Sequence, residues 1–146
     1  MKNQKNLIST VLIAPATITQ GATATANFDC KGHGDVEIVV SLGALAGAGT
    51  APSSIKIFES DDTVVTNFSE ITALSTGAAA VGASESVRFF VNRSNGNRKR
   101  YLRLAVTPTS GSTNSNIPVS AIAYADRSGS DPASTSGYGS NVVKEI

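Results

Sequence analysis

Apolar residues recur in this chain with period two, the spacing of a pleated strand with one buried face, and not with the 3.6-residue period of a helix. The clearest run is Asp35 to Leu42: Val36, Ile38, Val40 and Leu42 share one face, and Glu37, Val39 and Ser41 the other. Ser54 to Ser60 repeats the pattern, with Ile55 and Ile57 inward, Lys56 outward and Phe58 on the second face. Glu85 to Thr107 holds two alternating runs, Val87/Phe89/Val91 and Leu102/Leu104/Val106. Asn95-Gly96 stands between them and tolerates positive φ at low cost, which predicts an extended hairpin on which the core forms. Ile117 to Tyr124 follows, with Ile117, Val119, Ala121 and Ala123 on one face.

Weaker patterns fill in the rest. Leu7 to Ala14 reads as a β-branched strand stopped by Pro15, and Ala22 to Asp29 as a second strand of low packing power. Val64 to Thr66 suggests a short strand. Phe68, Ile71 and Leu74, three apart, suggest a short amphipathic turn or helix. Gly43–Ser53, Ser75–Ala83 and Pro108–Asn116 are built of turn and small residues. These elements predict an all-β domain, an antiparallel β-sandwich or jelly-roll of about seven to eight strands. The expected layout is a flexible N-terminal arm at 1–6, the β-sandwich domain at 7–127 and a flexible C-terminal tail at 128–146. Val142 to Ile146 is expected to dock as an extended arm.

Composition sharpens this in three ways. A length of 146 residues suits one domain. Apolar residues are 40%, much of that alanine, and tryptophan is absent, so the core is expected to be thin and part of the apolar surface to be buried by a partner or by copies of the chain. The net charge of +1 gives no global attraction to nucleic acid or membrane. No stretch approaches the ~18 apolar residues of a membrane span. Lys2 and Lys5 before Leu7–Ala14 imitate a signal peptide, but Ser9, Thr10 and Pro15 break the pattern, and a strand preceded by a polar arm fits better.

Candidate chemistry is sparse. Cys30 is the only cysteine, which excludes an intrachain disulfide and a cysteine-based zinc site within one chain. Asp29, Cys30, His33, Asp35 and Glu37 lie close together but read as a polar turn, and Glu59-Ser60-Asp61-Asp62 as a strand end. No acid–base constellation or phosphate loop is present, so no enzyme, cofactor or metal is expected. The strongest candidate is basic: Arg93, Arg98, Lys99, Arg100 and Arg103, with Tyr101, Phe90 and Phe58 as apolar companions. Three readings stand for it: a solvated hairpin tip, a docking contact with an acidic protein surface, or a nucleic-acid contact. The near-zero net charge argues against the last.

The order of motifs carries a resemblance. Asp-Val-Glu-Ile-Val-Val-Ser-Leu-Gly at Asp35–Gly43, Ile-Phe-Glu-Ser-Asp-Asp at Ile57–Asp62, Arg-Lys-Arg-Tyr-Leu-Arg-Leu at Arg98–Leu104 and the strand Val119–Ala125 together resemble small virion proteins of tailed bacteriophages. The resemblance covers roughly Leu7 to Arg127, and the stretch from Ser128 onward lies outside it. Such proteins are similar to capsid decoration, or cement, proteins. The resemblance implies a homotrimer on the outer surface of the head, with the major capsid protein as partner. It carries no catalytic residues and makes Glu59–Asp62 and Arg98–Arg103 structural or contact elements. The alternatives are another phage structural role, in tail or neck, and a binding module for host glycan or nucleic acid acting through the basic segment. The absence of tryptophan argues against a sugar platform.

Overall fold

The computed structural model describes residues 7–19, 22–44, 54–76, 84–93, 97–107, 117–126 and, in backbone only, 142–145. The expected arm at 1–6, the Asn95-Gly96 corner, Arg127, and residues 128–141 and 146 of the expected tail lie outside them. The strands are β1 (Leu7–Ile18), β2 (Ala24–Asp29), β3 (Val36–Leu42), β4 (Ser54–Ser60), β5 (Ser69–Glu70), β6 (Ser86–Val91), β7 (Tyr101–Thr107), β8 (Ile117–Asp126) and β9 (Val142–Glu145). They form a five-stranded sheet, β1-β8-β3-β6-β9, and a four-stranded sheet, β2-β7-β4-β5. Every ladder is antiparallel, so the protein is an antiparallel β-sandwich.

The ladders β1·β8, β2·β7, β3·β6 and β4·β5 are nested, each inside the one before. The chain thus doubles back on itself as one long ribbon, and rolling the ribbon across two sheets gives the winding of a jelly roll. β9 is an addition to that eight-stranded plan.

Alternation in the sequence becomes the core. β3 buries Val36, Ile38, Val40 and Leu42; β4 buries Ile55 and Ile57; β6 buries Val87, Phe89 and Val91; β7 buries Leu102, Leu104 and Val106. β8 adds Ile117 and Val119 and then Ala121, Ala123 and Ala125, all buried as expected for the first four. Leu74 and Ile71 close the side of β4.

Three local expectations are corrected. β6 and β7 do not form a hairpin: β6 pairs with β3 and β9, and β7 with β2 and β4. Their apolar faces meet across the core from opposite sheets, and a paired hairpin would have put both on one sheet. Pro15 does not end the first strand, because β1 continues to Ile18 through register shifts between Val11 and Ile13 and between Ile13 and Ala16. A bulge on an edge strand is where proline's missing donor goes unneeded. Val65–Asn67 and Thr72–Leu74 are 3-10 turns flanking the two-residue β5, where a strand at Val64–Thr66 was expected.

Candidate protein-contact surface

The basic residues are set at one end of the sandwich by the start of β7 and the segment leading into it. There they meet carboxylates from distant parts of the chain. Arg98 Nη1 lies 3.1 Å from Glu59 Oε1, and the backbone N–H of Lys99 donates to Glu59 Oε2 at 3.2 Å. Lys99 Nζ stands 3.8 Å from Asp61. Arg100 grips Asp29 with two bonds, Nε to Oδ1 at 2.9 Å and Nη2 to Oδ2 at 2.6 Å, and lies 4.7 Å from the centre of the Tyr101 ring. That fork and the N–H of Lys31 hold the Asp29 carboxyl down at about 2.

Arg93 bonds the turn that follows Asp29. Its Nη1 donates to the carbonyls of Cys30 (2.6 Å) and His33 (2.8 Å), and its backbone N–H donates to Asp35 Oδ1 at 2.9 Å. It therefore ties the end of β6 to the Cys30–Asp35 turn. Cys30 is fully buried, and burial pushes its thiol up to about 11. Gly32 takes positive φ (76°) in this turn. The His33 ring stacks on Phe28 with centroids 5.7 Å apart.

On the outer face of the four-stranded sheet, register places Asn27, Arg103 and Phe58 side by side. Arg103 Nε donates to Asn27 Oδ1 at 2.9 Å, and its guanidinium carbon lies 3.9 Å from the centre of the Phe68 ring. Its Nη1 reaches the carbonyl of Val65 at 3.4 Å. Arg103 thus pins the β4–β5 connection onto the sheet.

That connection is the tip of the rolled ribbon, and hydrogen bonds hold its shape. Asp62 Oδ1 accepts the N–H of Val64 at 2.9 Å, Asp62 Oδ2 accepts from Asn67 Nδ2 at 2.8 Å, and the N–H of Asn67 donates to the carbonyl of Val64 at 3.0 Å. Those bonds, Asn67 first, lower the Asp62 carboxyl below its ordinary range. The tip presents Val64 and Val65, 53% and 69% exposed, as two adjacent aliphatic side chains in water.

No family model matches this chain, and no curated protein matches it.

The expected contact residues are therefore split. Arg98, Lys99, Arg100 and Tyr101 gather at one end; Arg103 and Phe58 sit on the outer face of the small sheet; Phe90 faces outward from the large sheet. Phe90 shares that outer face with Val39, Ile122, Tyr124 and the exposed Val11, which register sets on neighbouring strands. The sequence reading passed over Val11, Val64 and Val65. The available signal was Val64-Val65 between Asp61-Asp62-Thr63 and Thr66-Asn67: two aliphatics among turn residues, outside any alternating run. Among the described residues no group of three or more His, Cys, Asp or Glu is arranged to hold a metal ion, and no helix is long and apolar enough to cross a membrane.

Proposed function

We propose that the chain is a structural virion protein, a decoration or cement protein that binds the outer surface of a tailed-phage head and works as a homotrimer through protein–protein contact. The observation that carries this reading is the Val64–Val65 tip. An apolar pair held in water by Asp62, Asn67 and Arg103 loses little further freedom when covered, so its burial on a partner goes largely into affinity. The jelly-roll winding agrees with the fold that the resemblance implies. The basic segment serves the subunit first, because Arg98, Lys99 and Arg100 each face a carboxylate of the same chain. That internal pairing disfavours the nucleic-acid alternative. Many weak sites repeated over one lattice would give avidity and resist the pressure of packaged DNA.

The test is cosedimentation with purified heads assembled without this protein, alongside light scattering for mass in solution. The native chain is expected to saturate the heads, and Val64→Asp/Val65→Asp to stay folded and to bind at least tenfold more weakly. Failure of the native chain to bind heads would overturn the capsid reading. Undiminished binding by the double variant would remove the tip from it.

A further inference from the structure

We infer that the edge of β6 on which β9 lies is a strand-acceptor site, and that the segment Val142–Glu145 of a second copy of this chain is a ligand for it. In the eight-stranded roll, β6 is an edge: β3 lies on one side, and the other would present unpaired N–H and C=O groups. β9 covers that side antiparallel, with Ser86 opposite Glu145, Val87 opposite Lys144, Arg88 opposite Val143 and Phe89 opposite Val142. The edge therefore takes an extended segment in a defined register.

Chain length permits two ways of filling it. β8 ends at Asp126 beside the start of β3, and Val142 lies near that same end of the sheet, opposite Phe89. From β8 to β9 the chain must cross β3 and β6, three strand spacings or about 14 Å. Residues 127–141 are available to do it, and a stretch of that length reaches about 50 Å when extended. The connection is more than three times longer than its own edge requires and long enough to reach the edge of an adjacent molecule. Its sequence is dominated by Ser and Gly and holds one large apolar residue, Tyr138, a composition with little apolar surface to bury. The same backbone bonds form whether the strand comes from its own chain or from another, so exchange costs little. Its own strand acts at an effective concentration of roughly millimolar, and exchange wins where copies are held side by side at comparable density. This inference does not depend on the capsid reading.

The test uses two full-length variants, Arg88→Cys and Val143→Cys, one of them 15N-labelled. Residues directly opposite on neighbouring strands are within disulfide reach, and the native Cys30 is buried and does not compete. The variants are mixed and oxidised at about 10 μM and about 1 mM, concentrations that bracket the effective one, and products are sorted by mass. The expected result is mixed pairs above the statistical share of all dimers, rising with concentration, and an internal disulfide in the dilute Arg88→Cys/Val143→Cys double variant. Mixed pairs at or below the statistical share at both concentrations would overturn exchange. A double variant that forms no internal disulfide would overturn the acceptor site itself.

Discussion

Glu59 and Arg98 close the end of the sandwich: the carboxylate follows Ile55 and Ile57 on the inward side of β4, and Arg98 reaches it at 3.1 Å. Both side chains are largely shielded, 14% and 25% exposed. Replacing Glu59 with Ala leaves Arg98 and the Lys99 N–H without their acceptor and is expected to cost about 1–3 kcal/mol. Glu59→Ala/Arg98→Ala should cost less than the two single losses added together, because the double variant leaves neither charge of the pair stranded. Urea unfolding of the four proteins measures this coupling.

Arg93→Ala should destabilise by about 1–3 kcal/mol, since it removes both bonds to the Cys30 and His33 carbonyls. Arg93→Lys should recover part of the loss, as a single ammonium lacks the planar fork. A loss below about 0.5 kcal/mol would show that the turn holds itself without Arg93.

Acid should weaken the protein in a window set by Asp29. Its folded value is lowered from 3.8 to about 2, so its contribution is full above about 4 and is lost as pH falls toward 2. Asp62 and Glu70 are lowered as well and act in the same direction. Asp29 is 43% exposed, so solvent screening holds its share to about 1 kcal/mol or less. Asp29→Asn should melt below the native protein at pH 6, and the difference in Tm should vanish near pH 2. A difference that persists at pH 2 would mean that Asp29 acts through shape and not through charge.

Cys30 should be inert while the protein is folded. It is fully buried, and its thiol is raised to about 11, so almost no thiolate is present at pH 8. A thiol reagent at pH 8 is expected to label the chain only in denaturant, and prompt labelling of the native protein would contradict the burial.

The strands were legible where each carried its own pattern. Val36–Leu42 reads the same in sequence and structure, because one face meets the core at every second residue. Sheet membership was not legible. Val87, Phe89 and Val91 show only that their strand has a buried side, and Leu102, Leu104 and Val106 only that theirs does; that the two sides face each other depends on β3 and β4. Nearness in sequence suggested a hairpin where the nested ladder forbids one. The partners of the basic segment were not legible for a similar reason. Its density is local, but Asp29 and Glu59, which neutralise Arg100 and Arg98, stand far earlier in the chain and meet them only after folding. Val64 and Val65 carried no periodic signal, since their exposure comes from the Asp62 turn.

The nesting of the ribbon also sets an order of events during synthesis. Among the described residues β1 has one ladder partner, β8, which pairs Leu7 with Asp126. The inner pair, β4·β5, can zip as soon as it is made, but β1 must wait until nearly the whole domain has left the ribosome. During that wait Leu7–Ile18, a long β-branched strand, has both edges open. Closure over so long a loop is slow, so this segment, made well before its partner β8, is the place where a nascent chain is most exposed to mispairing with its neighbours on the same message.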